Sequence, residues 1–328
     1  MSRTTSVFER CCDVVLRVAG AASAVPSPAV AGLALALTLA GCASTGPPPP
    51  GAPLPGYPGG TAALASCLRA PSCNDTLVVA HRGSGTWSRD ENSVAAGLQV
   101  VAAGIPFMET DVRASRDGEM FLMHDATVDR RTSGKGKLAD LDAAQLEQLQ
   151  LRNGELVPAL RDIYAVTRGE AILLLDFKTR DALETAADWI AREASFDDFV
   201  FLVNRRSEMS VAASLKSRYP ALIVMASATD EAKLDDVRRA FGGRLPELIG
   251  AHRPSSRLVA MVHAEGAKIS ANLLGYERVP IYGALLTRLM LDRGVDLLQT
   301  DRARQLWSYV RKRNESEAAA ADGGALGR

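Results

Sequence analysis

Several short groups of polar residues in this chain carry the side chains that acid–base and metal chemistry require. Imidazoles titrate near neutral pH and can therefore act as a general acid or a general base. Carboxylates without cysteine ligands form hard oxygen sites, which suit Ca²⁺ or Mg²⁺ better than zinc. Guanidinium and ammonium groups bind anionic oxygens through charge-assisted hydrogen bonds. The residues of these types that occur in such groups are His81, Arg82, Glu91, Glu109, Asp111, His124, Asp176 and Lys178.

The spacing within these groups predicts that several side chains share one site. Glu109 and Asp111 lie two positions apart in a segment with strand character, so both point to the same face of the strand. The neighbouring residues 105–108 and Val112 are mostly apolar, which indicates a strand covered by helices. Carboxylates buried in this way need a metal ion or a charged partner. Two or three carboxylates together with two histidines therefore predict a metal-assisted acid–base site.

Apolar runs alternate with amphipathic segments from residue 77 onward, as strands alternate with helices. We predict eight strands, at 77–80, 106–112, 171–175, 199–203, 221–225, 247–250, 267–270 and 295–298. We predict helices at 91–103, 181–194, 207–218, 229–241, 278–293 and 302–312. Eight strands with intervening helices favour a single closed (β/α)8 barrel, and an open doubly wound sheet is the alternative.

A barrel would bring the polar groups together, because the C-terminal ends of its strands meet at one mouth. His81 follows the first predicted strand, and the paired carboxylates lie on the second. The longest interruption, residues 113–170, separates the second strand from the third. It predicts a short insertion with a hairpin-like piece and two helices, at 138–149 and 158–167. We expect His124, in this insertion, to lie at the same mouth.

Both ends of the chain differ in composition from the part between them. Residues 1–41 contain arginines followed by an apolar run, as in a bacterial lipoprotein signal peptide, and a lipobox-like Leu-Ala-Gly-Cys sequence ends at Cys42. We expect Cys42 to carry lipid, with an ordinary secretory signal as the alternative. Residues 42–60 are rich in proline and glycine and predict an extended tether. The folded domain is predicted at 61–313, and a disordered tail at 314–328.

The remaining cysteines and the residue after the lipobox bear on the compartment. Export would place Cys67 and Cys73 where disulfides persist, and we predict that they pair, with two free thiols as the alternative. Ala43 occupies the position of the aspartate that is associated with inner-membrane retention. A lipid anchor in the outer membrane of a bacterial envelope, on the periplasmic side, is therefore favoured.

The overall composition restricts the partners. With 47% hydrophobic residues among 328, the chain has the composition of an ordinary globular protein with ample core. Lysine plus arginine and aspartate plus glutamate both number 38, so the basic excess typical of nucleic-acid binders is absent. We therefore expect a small anionic substrate and a membrane as partners, and no nucleic acid. The composition leaves the oligomeric state open.

An ordered set of motifs gives the chain a specific family resemblance. Residues 77–137 contain, in order, His-Arg-Gly, Glu-Asn, Glu-x-Asp, Asp-Gly, His-Asp and Arg-x-Thr-x-Gly. This set resembles the N-terminal half of the glycerophosphodiester phosphodiesterase family. Pro158, the Asp-Phe-Lys sequence at Asp176 and the segment 294–301 continue the resemblance, which covers residues 77–312.

The resemblance implies a (β/α)8 barrel that hydrolyses glycerophosphodiesters to an alcohol and glycerol 3-phosphate with one divalent cation, Ca²⁺ or Mg²⁺. It implies that His81 and His124 form the catalytic acid–base pair. The implied metal ligands are Glu109, Asp111 and Asp176, and the implied substrate contacts are Arg82, Glu91 and Lys178.

Two departures from the family pattern bear on the site. Asp176 stands where the family commonly has Glu, and a shorter carboxylate arm could shift or loosen the metal. Residues 269–272 replace a Trp-Thr-x-Asn type of sequence of which only Asn272 clearly matches, so the wall around the alcohol portion could differ. Two alternative functions stay open. One is a phospholipase of the C or D type that acts on lyso- or intact phospholipids with the same site, and the other is a non-catalytic envelope lipoprotein that binds a ligand.

Overall fold

A computed structural model describes residues 59–83 and 90–325, and these residues form the predicted barrel. The strands are β1 Leu77–Ala80, β2 Phe107–Ala114, β3 Met120–Leu122, β4 Ile172–Phe177, β5 Phe199–Val203, β6 Ile223–Ser227, β7 Leu248–Ala251, β8 Lys268–Asn272 and β9 Leu297–Thr300. All except β3 are parallel, and the ring closes because β1 pairs with both β9 and β2. Strand β3 runs antiparallel to β2 and lies outside the ring.

The helices lie on the outside of the ring and at one end of it. They are α1 Gly60–Arg69, α2 Val94–Ala102, α3 Ala143–Leu146, α4 Leu160–Thr167, α5 Asp181–Glu193, α6 Arg206–Arg218, α7 Glu231–Ala240, α8 Ser256–Ala264, α9 Pro280–Asp292 and α10 Ala303–Ala325. Short 3₁₀ helices occur at Leu138–Asp140, Phe196–Asp198 and Tyr276–Arg278. Helices of this kind follow from the apolar stripe that each presents to the strands.

The interior of the barrel is apolar at one end and polar at the other. Along β2 the side chains that point inward change from Phe107, which belongs to the inner apolar cluster, to the buried carboxylates Glu109 and Asp111. The inner cluster also contains Val79 and Leu174 from neighbouring strands, and burial of each such side chain contributes about 1.5–3 kcal/mol. The N-terminal half of the barrel is therefore a solid core on which the polar half is built.

Helix α1 closes the N-terminal end of the barrel. Leu64 and Leu68 of this helix belong to the same buried cluster as the inward-pointing side chains of the strands. Thr61 Oγ1 donates a hydrogen bond of 2.5 Å to the buried carboxylate of Asp198. This helix was not predicted, because residues 60–69 form a short segment next to the proline- and glycine-rich stretch. The described chain therefore enters the domain at the end opposite the polar mouth.

The sulfur atoms of Cys67 and Cys73 are bonded to each other, and their Cα atoms lie 5.3 Å apart. The bond joins helix α1 to the loop that leads into β1. Lys268, which is buried at the start of β8, donates a hydrogen bond to the backbone carbonyl of Cys73. The pairing predicted from the sequence is therefore present, and it fastens the closing helix to the barrel.

The observed elements agree with the predicted alternation of strands and helices. Each of the eight predicted strands overlaps one strand of the ring, and the insertion lies between β2 and β4 as expected. Its first predicted helix, 138–149, is reduced to a 3₁₀ turn and the four residues of α3, because Leu141 and Asp142 between them are extended. Helix α8 lies between β7 and β8, in a stretch where no helix was specified.

The C-terminal segment differs from its prediction. Residues 314–328 were expected to be a disordered tail, but helix α10 continues through Ala325. Glutamate and alanine dominate residues 315–321 and have high helix propensity, so they extend a helix already nucleated on the barrel. Asn314 also fixes the helix, because its Nδ2 donates a hydrogen bond of 2.9 Å to the carbonyl of Thr76.

Among the described residues, no helix combines the length and apolar character that crossing a membrane requires. The predicted signal peptide at 1–41, the lipidation site Cys42 and the tether as far as residue 58 lie outside the described residues.

Candidate active site

Carboxylates from two neighbouring strands converge at the C-terminal mouth of the barrel. Glu109 and Asp111 point inward from β2, and Asp111 is in register with Asp176 of β4. One oxygen of each of these three side chains lies within 4.8 Å of the other two. Glu109 and Asp111 are buried, and Asp176 is partly buried. The structure therefore brings the three predicted metal ligands together, and the shorter arm of Asp176 still reaches the group.

The pKa values of these carboxylates indicate a binding site for a cation. Burial and the nearby Asp111 raise the pKa of Glu109 to about 8, and burial also raises the pKa of Asp176. Burial opposes ionisation of Asp111 as well, but Lys178 and Arg82 hold the pKa of its carboxyl below the usual range. Side-chain cations therefore compensate only part of the charge that three ionised carboxylates would carry. A group made of carboxylate oxygens alone fits Ca²⁺ or Mg²⁺.

Binding of Ca²⁺ or Mg²⁺ at pH 7 is expected to release about one proton. Without a cation Glu109 holds a proton at this pH, since its pKa is about 8, and a cation binds the ionised form. The apparent affinity should therefore rise about tenfold per pH unit below pH 8 and level off above it. Calorimetric titration in buffers of different ionisation enthalpy measures the released proton. An observed heat that is independent of the buffer would contradict the assignment.

Lys178 and Arg82 place positive charge beside the carboxylates. Lys178 Nζ lies 2.7 Å from an oxygen of Asp111 and 2.6 Å from an oxygen of Asp176. Arg82 Nε lies 3.1 Å from the other oxygen of Asp111. Both cationic side chains also line the cavity at the mouth, so an anionic substrate that enters it meets the two predicted phosphate contacts.

The backbone turn after β1 presents His81 to this group. Arg82 and Gly83 both adopt left-handed conformations, with φ of 51° and 78°. A Cβ atom at Gly83 would lie 2.8 Å from the Cβ of Ala96 and from the end of Met108, so this position requires glycine for space as well as for φ. The His-Arg-Gly sequence is therefore the local cause of the turn that holds the imidazole at the mouth.

The two ring nitrogens of His81 face different carboxylates. Nδ1 lies 2.8 Å from Oδ1 of Asp301, and Nε2 lies 3.7 Å from Oε2 of Glu109. A carboxylate at Nδ1 keeps the proton on that nitrogen, so Nε2 is the atom that can exchange a proton inside the cavity. Burial lowers the pKa of His81, but the hydrogen bond to Asp301 and the charges of nearby carboxylates outweigh it, and the net pKa is raised.

Asp301 was not assigned a role from the sequence, although it lies directly after β9, where the strand opens into the mouth. Its backbone N–H donates a hydrogen bond of 3.0 Å to the buried carboxylate of Glu277. Glu277 also accepts a hydrogen bond from the hydroxyl of Thr300. Position at the C-terminal end of a barrel strand is the signal that could have identified Asp301.

Replacing Asp301 by asparagine is expected to lower kcat by about 10- to 100-fold and to change KM little, as for other carboxylates that orient a functional imidazole. The reason is that asparagine can donate to Nδ1 and so favour the wrong tautomer of His81. Steady-state kinetics measures both constants. Asp235→Asn, on the exposed face of α7, is the matched control. An unchanged kcat in Asp301→Asn would rule out the positioning role.

His124 reaches the same cavity from the insertion. Its Nδ1 lies 2.9 Å from Oδ1 of Asp125, and its carbonyl accepts a 2.7 Å hydrogen bond from the guanidinium of Arg113. Asp125 is paired in turn with Arg130. Burial opposes ionisation of Asp125, but Arg130 and His124 lower its pKa to about 2. Both histidines therefore have a carboxylate at Nδ1.

Glu91 has a different place from the one predicted. Its side chain is 2% exposed, and its two oxygens lie 3.2 Å from Arg82, 3.0 Å from Arg130 and 3.2 Å from Arg131. It is not part of the cavity wall. The structure therefore assigns Glu91 a positioning role toward the arginines, in place of the predicted substrate contact. Glutamate fits this place because one buried carboxylate can offset several guanidinium groups.

The next residue, Asn92, positions Asp111. Its Nδ2 donates a hydrogen bond of 2.8 Å to the carboxylate of Asp111, and its Oδ1 accepts one of 2.7 Å from Thr110. The residue has φ of 54°, in the left-handed region that asparagine tolerates better than most residues. The Glu-Asn pair is therefore a support for the site rather than a part of its surface.

A cavity of about 220 Å³ opens between these groups. Its size suits a small molecule or the head of a larger one. Seven of the eight predicted site residues line it, and Glu91 does not. The remaining wall is formed by three carboxamides and two leucines, Asn204, Asn272, Gln299, Leu202 and Leu274. Of these, Gln299 lies on β9.

Comparison with known proteins supports the family resemblance for part of the chain. Residues 81–195 match the model of the glycerophosphoryl diester phosphodiesterase family. Glycerophosphodiester phosphodiesterase 1 of Bos taurus is 41% identical over 96 residues, which cover 26% of this chain and 29% of that protein. A glycerophosphodiester phosphodiesterase of Caldanaerobacter subterraneus is 30% identical over 115 residues, covering 33% of this chain and 46% of that protein. The matched part is thus less than half of each relative.

Solved structures resemble the whole barrel. A glycerophosphoryl diester phosphodiesterase from Parabacteroides distasonis has a TM-score of 0.65 and 21% identity, covering 77% of this chain and 92% of that one. A phosphodiesterase from Oleispira antarctica, in complex with the product sn-glycerol-3-phosphate, has a TM-score of 0.58 and 21% identity. The match covers 71% of this chain and 95% of that one. Similarity at this level of identity establishes the shared fold.

Proposed function

We propose that this chain, whose residues 81–195 match the model of the glycerophosphoryl diester phosphodiesterase family, hydrolyses glycerophosphodiesters to an alcohol and glycerol 3-phosphate. The proposed reaction needs one divalent cation, Ca²⁺ or Mg²⁺, held by Glu109, Asp111 and Asp176. His81 and His124 are the proposed acid–base pair.

One observation carries this proposal, which is that two histidines and three carboxylates from distant parts of the chain line one small cavity. Hydrolysis of a phosphodiester needs proton transfer at two oxygens, one attacking and one leaving. It also needs positive charge near the phosphoryl oxygens. The cavity provides both kinds of group, on β2 and β4 and on the segments that directly follow β1, β3 and β4.

Each of the two imidazoles carries out one of the two proton transfers. One removes a proton from the water that attacks phosphorus, and the other donates a proton to the alkoxide as its bond to phosphorus breaks. His81 and His124 both have a carboxylate at Nδ1, which leaves Nε2 of each for the exchange with substrate. The alcohol leaves with one proton, and the hydroxyl from water stays on glycerol 3-phosphate.

The cationic groups bind and orient the phosphodiester. Arg82 and Lys178 line the cavity on the same side as the carboxylates, where they would contact its charged oxygens. A divalent cation held by the three carboxylates would offset the negative charge of the phosphoryl group during the reaction. Asn92 holds Asp111 in place, and Glu91 holds Arg82, so both kinds of contact are preorganised.

A phospholipase that cleaves lyso- or intact phospholipids with the same groups is the second candidate. Leu202 and Leu274 in the cavity wall favour it, because they could contact an apolar part of the substrate. A non-catalytic, ligand-binding role is disfavoured, since the complete set of polar groups lies within reach of one small molecule.

Product analysis tests the choice between these candidates. The detergent-solubilised chain is incubated with Ca²⁺ or Mg²⁺ and either glycerophosphocholine or lysophosphatidylcholine, and the water-soluble products are identified. We expect choline and glycerol 3-phosphate from glycerophosphocholine. Release of choline from lysophosphatidylcholine alone would favour the phospholipase. Absence of product from both substrates would favour a binding role.

We also propose that Cys42 carries lipid and anchors the chain in a bacterial envelope membrane, with the outer membrane favoured. The lipobox-like sequence and the proline- and glycine-rich residues that follow support this proposal. Cys42→Ser is expected to move the protein from the membrane pellet to the soluble periplasmic fraction, and to abolish labelling by a fatty-acid analogue. A serine variant that still carries label would contradict the site.

A further inference from the structure

Helix α9 exposes a continuous apolar surface. Ile281, Tyr282 and Leu285 are 79%, 64% and 63% exposed, and Val279 and Leu289 are also exposed. We call these five residues the α9 patch. The described residues that this helix buries are Gly283, Met290 and Leu291, so it packs on the barrel mainly through its C-terminal part. Exposed apolar patches of this kind mark contact surfaces.

The α9 patch lies at the rim of the active-site mouth. Helices of a (β/α)8 barrel run antiparallel to its strands, so the N-terminal end of α9 lies at the same end of the barrel as the catalytic groups. Asn272 and Leu274, which line the cavity, precede this helix by a few residues. Val279, Ile281 and Tyr282 are on the first turn, which is the part nearest the mouth.

The loops around this rim present positive charge. In the described side chains of residues 252–255, 273–280 and 301–305, the exposed charged residues are Arg253, Arg302 and Arg304. The carboxylates of these loops are turned inward, because Glu277 accepts hydrogen bonds from Thr300 and from the backbone of Asp301, and Asp301 faces His81. The rim therefore combines aliphatic and tyrosine side chains with exposed arginines.

We propose that the α9 patch and these three arginines dock the barrel, mouth first, on an anionic phospholipid bilayer. Aliphatic side chains enter the acyl boundary, tyrosine suits the interface, and arginines pair with anionic headgroups. A second copy of the chain fits less well, because a two-fold contact through the same patch would bring its arginines face to face. The rim offers no exposed carboxylate in its described side chains to pair with them.

The place where the chain enters the domain allows this orientation. Helix α1 closes the barrel at the end opposite the mouth, so the predicted tether starts far from the α9 patch. Its proline- and glycine-rich residues have a reach of about 50 Å when extended. An extended tether of that length would exceed the ~20 Å rise of the 13-residue helix α5 along the barrel wall, so it could reach from the end closed by α1 to a membrane at the mouth.

The test measures contact with the membrane by fluorescence quenching and does not require catalysis. Its outcome is therefore independent of the proposed reaction. The full chain, anchored in vesicles of phosphatidylethanolamine and phosphatidylglycerol with brominated acyl chains, carries either Tyr282→Trp or Leu98→Trp. Leu98 is a partly exposed apolar residue of α2 and serves as the matched control. Bromine quenches tryptophan emission at short range, and the emission of the unaltered chain is subtracted.

We expect the emission added by Tyr282→Trp to be largely quenched, and that added by Leu98→Trp to be largely retained. Combining Tyr282→Trp with Ile281→Gln and Leu285→Gln should restore most of the emission, because each glutamine removes an aliphatic contact. Equal quenching at both positions, or none at residue 282, would overturn the proposal. So would a dimer in sedimentation that the two glutamines dissociate, since the patch would then bind a second copy.

Discussion

His124→Ala is expected to lower kcat for glycerophosphocholine by about 10²–10⁴-fold. The substitution removes one of the two imidazoles that line the cavity and leaves water, a poor acid and base, in its place. His124 is 41% exposed and lies on the insertion, so the free energy of unfolding should change little. Steady-state kinetics and thermal unfolding of the same preparation measure the two quantities.

His252→Ala is the matched control for this experiment. His252 is an exposed histidine in the loop after β7, and it does not line the cavity. Its replacement should leave kcat unchanged. His81→Ala should lower kcat in the same range as His124→Ala. Because His81 is buried, we expect this variant also to lower the free energy of unfolding. Near-normal turnover in His124→Ala would contradict the acid–base assignment.

Glu109→Gln is expected to abolish metal-dependent turnover and to weaken binding of Ca²⁺ or Mg²⁺ by more than about 100-fold, since even outer partners of metal ligands contribute 10- to 100-fold. The stability of the cation-free chain should be nearly unchanged. Its Glu109 already holds a proton at neutral pH, because burial and Asp111 raise the pKa to about 8, and glutamine resembles that neutral acid.

Thermal unfolding with and without cation separates these effects. A cation present at 100 times its Kd should stabilise the unaltered chain by about 2.7 kcal/mol, and Glu109→Gln should lose this gain. Glu184→Gln, an exposed substitution on α5, is the control and should keep it. If Glu109→Gln retained the full cation-dependent stabilisation, the carboxylate could not be a ligand.

The barrel and most of its site could be predicted from the sequence for a physical reason. Buried parallel strands are short apolar runs, and the alternation of these runs with amphipathic helices is visible along the chain. Two-residue spacing on a strand is also visible, so Glu109 and Asp111 could be assigned to one face. The rule that the C-terminal ends of barrel strands meet at one mouth then placed Asp176 and His81 beside them.

Pairings between distant residues were the part that could not be predicted. Glu91 has the residue type of a substrate contact, but only the fold shows that three arginines already surround it. Asp301 is distant in sequence from His81, and only the closure of β9 on β1 makes it a partner of the imidazole. Residue type and local spacing carry no information about such pairs.

The helices at the two ends of the domain, α1 and the C-terminal half of α10, were not predicted, for a related reason. Helix α1 is short and its apolar residues are few, so its burial depends on the barrel end that it covers. The last helix has the composition of a polar tail, yet it grows from a segment anchored by Trp307 and Val310, which are buried against the barrel. Tertiary contact decides both cases, and local propensity alone does not.

The most direct test of the central claim is release of glycerol 3-phosphate from glycerophosphocholine by the full chain after removal of metal with EDTA. We expect no release in EDTA, and release restored by Ca²⁺ or Mg²⁺, because the carboxylate group at the mouth needs a cation to bind the phosphodiester productively. Restored release would establish the bond cleaved and the metal dependence together. Absence of release with either cation, from a chain that remains folded, would contradict the account.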